Sequence, residues 1–201
     1  MGYHIFFYAA PLDELDAAIG SSNNDLFEET QETEAFEGYS SQDIPGYTST
    51  KDALEQMIFN KPYDKKSAHA YWYALIALCD SVGEQLDSTH EISLSYETDL
   101  INQYLKSDFG IDLKIEEVLL NERPVSNLPR VQDFPMHGVL YKADLLELKE
   151  KFKNIEISDE QLDELLEEDD EKEMAYDSIR QIKANVLFCL ENDLELLAFC
   201  H

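Results

Sequence analysis

Tyr3-His4-Ile5-Phe6-Phe7-Tyr8-Ala9 opens the chain with an aromatic, β-favouring run that reads as a buried strand. Its counterpart, Glu195-Leu196-Leu197-Ala198-Phe199-Cys200, reads as a second apolar strand at the other end. Pairing the two satisfies both backbones and closes the fold. Apolar residues between them recur mostly at helical spacing. The expectation is therefore an α+β fold, predominantly helical, with the N- and C-terminal strands paired in a small sheet against a helical bundle.

Outward from the first strand, Pro11 suits the first turn of a helix, with Asp13, Glu14 and Asp16 near its positive end. Leu12, Leu15 and Ile19 form its apolar stripe, and Gly20 is a natural stop. Residues 21–49, rich in Ser, Asn, Glu, Thr and Gly, read as a surface excursion with one helical piece around 26–36. Ser49 or Thr50 caps a helix carrying Ala53, Leu54, Met57 and Ile58. Ser67 opens a helix that is apolar on most sides and therefore central, and another is expected over 98–106.

Pro124, Pro129 and Pro135 bar a continuous helix over 121–138, yet Val125, Leu128, Val131 and Phe134 call for burial. An ordered, packed connection follows. Helical spacing resumes over 140–152. Ser158 caps an acidic helix within 156–173, with Leu162, Leu165 and Leu166 on its inner side. Ala175, Ile179, Ile182, Val186 and Leu190 mark a long amphipathic helix after it. No repeat or shift of composition divides the 201 residues, so 1–201 reads as a single domain.

The chain carries 43 acidic against 15 basic residues, a formal net charge of −28. Eleven of the eighteen residues in 156–173 are Asp or Glu, and only Lys172 answers them. Residues 1–50 add ten carboxylates and no Lys or Arg. Phosphate backbones are repelled by such a field, so nucleic acid is disfavoured as a partner and a basic protein is permitted. With 11 Tyr, 10 Phe and one Trp, the chain has ample material for a core, so the acidity belongs to a folded protein. Cys79, Cys189 and Cys200 do not suggest a disulfide framework. Neither a membrane span nor a signal peptide is read, and the expected compartment is the cytoplasm.

Several segments together resemble a bacterial family of uncharacterised domains, frequent in actinobacteria and of about this length. They are the N-terminal strand leading into Leu12-Asp13-Glu14-Leu15, then Tyr73-Ala74-Leu75, then Leu128-Pro129-Arg130-Val131-Gln132-Asp133-Phe134-Pro135, and the ending Leu197-Ala198-Phe199-Cys200-His201. The resemblance implies one domain and an important 128–135 connection. It implies no activity and carries over no catalytic residue.

Candidate chemistry is sparse. Seven scattered glycines make neither a dinucleotide turn nor a P-loop, and Asp108-Phe109-Gly110 lacks the other kinase segments. Pairing the terminal strands would gather His4, Cys200 and His201, but adjacent strand residues point to opposite faces, so no metal site is expected. The acids at 167–173 lack the glycine turn of a calcium loop. Cys79 and Cys189 sit in apolar helices and should be inert. His137 near Asp133, with Arg130 beside them, is the best candidate for an acid–base or small-ligand pocket. No catalytic residue and no cofactor is assigned.

The leading functional expectation is a non-enzymatic cytoplasmic binding protein, an immunity protein that neutralises a basic toxin domain. Asp163, Glu164, Glu167, Glu168, Asp169 and Asp170 would supply the attracting field, and Tyr39, Tyr47 or Tyr176 the short-range anchors. The alternative is an enzyme or small-ligand domain with its site near Arg130, Asp133 and His137.

Overall fold

The terminal strands do pair, and they form the centre of a larger sheet. The computed structural model describes residues 2–86, 90–132 and 134–201. Strand β1 (His4–Ala10) runs antiparallel to β5 (Glu195–Cys200), with Ile5 opposite Cys200 and Ala10 opposite Glu195. Beyond β5 lies β4 (Met136–Leu140); beyond β1 lie the short β2 (Glu84–Leu86) and β3 (Ile92–Ser93). All the pairings are antiparallel.

Helices cover both faces of this sheet. Phe6, Tyr8, Val139, Leu197 and Phe199 join one core with α1 (Leu12–Ala18), α3 (Glu34–Ser40), α4 (Thr50–Ile58) and the central α5 (Ala68–Val82); α2 (Asn24–Thr30) packs at its edge. Ile5, Phe7, Leu196, Ala198 and Cys200 join the second core. It is built with α6 (Tyr96–Ser107), α7 (Ile115–Leu119), α8 (Lys142–Phe152) and α10 (Asp170–Asn192). An antiparallel sheet with one wet face shows alternating polarity; burial on both faces explains why β1 and β5 read as unbroken apolar runs.

Local signals at helix ends hold well. Ser49 caps α4 through the Asp52 N–H, and Ser158 caps α9 (Asp159–Glu168) through the Gln161 N–H. Gly20 follows α1 at φ +81°, the left-handed conformation glycine tolerates, and donates its N–H to the Met57 carbonyl.

Four readings are corrected. Residues 21–49 hold two helices, capped by Asn23 and Thr33, and Thr30, Phe36 and Tyr39 are buried. The helix expected from 140 begins at Lys142, because 136–140 is a strand. The acidic stretch breaks at Asp169, whose carboxylate accepts the Lys172 N–H and so caps α10. Within α9, Leu162 is buried but Leu166 is 61% exposed, so it does not lie on the inner side.

Candidate functional site

The acidic face comes from the packing of α9 along α10. Asp163, Glu164, Glu167, Glu168, Asp169 and Asp170 are all exposed. Among the described residues none of the six forms an ion pair; in α9 it is Asp159 that meets Arg180, at 2.5 Å. Lys172 turns away from the run. Its Nζ lies 2.8 Å from Asp108 Oδ2 and 5.2 Å from the centres of the Tyr104 and Tyr176 rings. The hydrogen bond from Lys172, with others from Ser107 and Tyr176, holds the Asp108 carboxyl down at about 2.

Tyr176 is not available as an anchor. It is 4% exposed, and its hydroxyl donates to Asp108 Oδ2 at 2.7 Å. Burial and the Asp108 charge push its ionisation up to about 12. Tyr39 is buried as well, whereas Tyr47 is exposed. The exposed apolar groups beside the acidic face are Leu166 and Tyr96, the latter donating to Glu171 Oε1 at 2.9 Å.

The alternative pocket exists as a cavity of about 370 Å³ lined by Trp72, Asn121, Leu128, Arg130, Met136 and His137 among others. Asp133 lies outside the described residues. His137 stacks on Trp72 with ring centres 3.6 Å apart, and Trp72 Nε1 donates to the Pro129 carbonyl at 2.9 Å. His137 Nε2 lies 3.2 Å from the Arg123 carbonyl; a carbonyl can only accept, so Nε2 carries the proton. Nδ1 is then an acceptor, buried without a partner among the described residues. Burial pushes the imidazole down to about 4, so near neutral pH the ring is uncharged.

That depression has a measurable sign. Above about pH 7.5 the imidazole is neutral in both folded and unfolded chains and contributes almost no pH dependence. As pH falls from there to about 4, the unfolded chain takes up the proton first, and stability is lost. The expected loss from this group between pH 7.5 and 4.5 is about 2.5 kcal/mol. Urea unfolding at the two pH values should show that much more acid sensitivity in the wild type than in His137→Phe. Equal sensitivity would place His137 in water. His201, also lowered by burial, adds to the slope of both proteins equally.

One polar cluster carries no mark in the sequence. The Glu97 carboxylate is 2% exposed and accepts from Ser178 Oγ and, at 3.0 Å, from the Ser93 N–H. His90 Nε2 lies 3.2 Å from Glu97 Oε1 and 3.1 Å from Ser178 Oγ. Burial pushes this carboxyl up, but the bonds from His90, Ser178 and Ser93 outweigh it and hold it below its usual range. Ser, His and Glu are the residue types of a hydrolytic triad, yet the geometry is different. Serine and carboxylate share one imidazole nitrogen, and the Ser178 hydroxyl is fully buried. The cluster ties α6 to α10; it presents no nucleophile.

The thiols are equally withdrawn. All three cysteines are free and buried, and burial pushes Cys189 up to about 12 and Cys200 up to about 11. Cys200 faces the α10 side of the sheet, while His201 packs edge-on against Phe6, Tyr39 and Tyr73 on the other. The two adjacent residues therefore diverge, as strand alternation requires. Among the described residues no three His, Cys, Asp or Glu side chains are grouped to hold a metal ion, and no helix is long and apolar enough to cross a membrane.

Fold and surface together define a mostly helical α+β protein: an antiparallel sheet covered on both faces, with a ridge of exposed carboxylates along α9. The chain belongs to the family described as a domain of unknown function, DUF7691, whose model matches residues 1–201. No curated protein and no solved structure matches it.

Proposed function

We propose that this protein binds a basic protein partner without catalysis, and that it is a bacterial immunity protein which neutralises a toxin domain in the cytoplasm. The observation that carries the reading is the α9 ridge: exposed carboxylates without ion-pair partners among the described residues share this helix with Leu166, which is 61% exposed. A solvated face needs no exposed apolar side chain among its charges, whereas a docking face combines charged groups with an apolar anchor. Uncompensated carboxylates speed encounter with a cationic surface, which suits an inhibitor that must capture its target quickly.

Any basic domain found encoded beside this chain is the partner to test, by stopped-flow association. Reversing Asp163, Glu164, Glu167 and Glu168 to Lys should slow association by at least about tenfold at low salt while leaving the melting temperature within a few degrees. Leu166→Ala should act mainly on dissociation. An association rate indifferent to ionic strength and to the reversal would overturn the reading.

A further inference from the structure

In a protein this acidic, one cleft has the opposite character. Among the described residues, nine of the fifteen Lys and Arg side chains are ion-paired with carboxylates. Lys65, Lys66 and Arg130 are not among the nine, and these three line the same open cleft of about 720 Å³. No carboxylate appears among its described lining residues, although Asp133 falls outside them. Its walls are aromatic. Tyr47, His69 and Tyr73 follow one another, with ring centres 5.5 Å apart for Tyr47 and His69 and 6.2 Å for His69 and Tyr73. Tyr47 is half exposed, and Phe134, from the 128–135 connection, also lines the cleft.

The cationic platform is held in place. Lys65 and Lys66 occupy a 3-10 turn (Lys65–Ser67) capped by Asp64, whose carboxylate accepts the Lys66 N–H at 3.1 Å and the Ser67 hydroxyl at 2.7 Å. Ser67 Oγ in turn accepts the Thr48 N–H at 2.9 Å, and the Tyr71 hydroxyl accepts the Asp64 N–H at 2.6 Å. The turn runs straight into α5, so the positive end of that helix dipole faces the same cleft through Ala68 and His69. Neither ammonium group has an ion-pair partner among the described residues, so a bound anion would supply the missing countercharge.

We propose that this cleft binds a phosphorylated small molecule carrying a planar ring, the chemical class of mononucleotides. The phosphate lies against Lys65, Lys66 and Arg130, and the ring against Tyr47 and His69. The volume falls within the range of small-ligand sites. A polymer is disfavoured because the positive region is an island: a longer phosphate chain leaving the cleft meets the acidic surface of a −28 protein.

The test is calorimetric titration of the intact protein with AMP, GMP, CMP and UMP, each beside its nucleoside, and with inorganic phosphate. At least one mononucleotide should bind with Kd below about 1 mM, and more tightly than its nucleoside or phosphate alone. Lys65→Ala with Lys66→Ala, and separately Arg130→Ala, should each weaken it at least about tenfold. Tyr47→Ala should weaken nucleotide and nucleoside but not phosphate. Lys149→Ala, an exposed cation outside the cleft, is the control and should change nothing. The proposal fails if no mononucleotide binds, or if binding is indifferent to the cleft substitutions. It also fails if an oligouridine binds more tightly per phosphate than UMP, which would make the surface a nucleic-acid groove.

Discussion

Gly138→Ala is expected to destabilise the protein by about 4 kcal/mol or more, one of the largest effects available to a single methyl group. A Cβ at this position would lie 1.9 Å from the Leu119 carbonyl oxygen, 2.7 Å from its carbon and 2.8 Å from the Asn121 nitrogen. All three atoms are backbone, so no side chain can swing aside. The contact exists because the segment after α7 closes the open edge of β4. The Asn121 side chain accepts the Val139 N–H at 3.1 Å and donates to the Val139 carbonyl at 3.0 Å, while the Glu122 N–H donates to the His137 carbonyl at 3.0 Å. Relieving the clash means parting those bonds or the pairing of Gly138 with Ala198. For a domain of this size the loss corresponds to a melting temperature lower by roughly 10 °C. Gly38→Ala is the contrasting substitution. That glycine lies within α3 with nothing within 4 Å of an added Cβ, so a gain of about 0.5–1 kcal/mol is expected. A Gly138→Ala protein that melts with the wild type would refute the close approach of β4 and Leu119.

Trp72→Ala is expected to cost about 3–5 kcal/mol. The side chain is fully enclosed on α5, stacks on His137 and donates its indole N–H to the Pro129 carbonyl. Its removal opens a cavity between α5 and the 128–135 connection and leaves that carbonyl without its donor. Trp72→Phe separates the two contributions, since it keeps much of the ring and loses the hydrogen bond. A loss of about 1–2 kcal/mol is expected for it. The alanine variant should also let water reach His137 and so return its ionisation toward the ordinary histidine value. In that variant the extra acid sensitivity between pH 7.5 and 4.5 should shrink together with the stability. Denaturant curves at both pH values decide this: a fragile variant that kept the full acid slope would dissociate the stack from the depressed imidazole.

Much of the architecture is legible in the residues. β1 and β5 stand out because strands buried on both faces leave no polar alternation. α4 and α5 are clear from apolar spacing and the Ser49 cap. β4 is hidden because Met136-His137-Gly138-Val139-Leu140 mixes a histidine and a glycine into a short run behind a proline. It becomes a strand because the free edge of β5 receives it and Asn121 completes its other side. Residues 21–49 read as a surface excursion with one helical piece because they are mostly polar; the second helix escapes notice, although Phe36 and Tyr39 bury one face of α3 against α5. In α9 the positions of Leu162, Leu165 and Leu166 suit an apolar stripe wider than the contact with α10 turns out to be.

The candidate surfaces divide in the same way. That the protein is strongly acidic, that its acids concentrate at 156–173, and that its ends are strands are properties of adjacent residues, and they need no folded chain to be read. Which carboxylates remain uncompensated is a different matter. Lys172 sits among the acids in sequence, but Asp108 and two tyrosine rings hold it elsewhere. Glu97 is one of 43 acids until folding brings Ser178 to it from 81 residues away. Lys65 and Lys66 meet Arg130 only across the cleft between the α5 entry and the 128–135 connection. Hydrogen bonds within a turn and apolar periodicity act over a few residues and so leave their trace in the order of the chain. Burial and charge pairing depend on distance in space, and that distance exists only once the two helical layers have closed on the sheet.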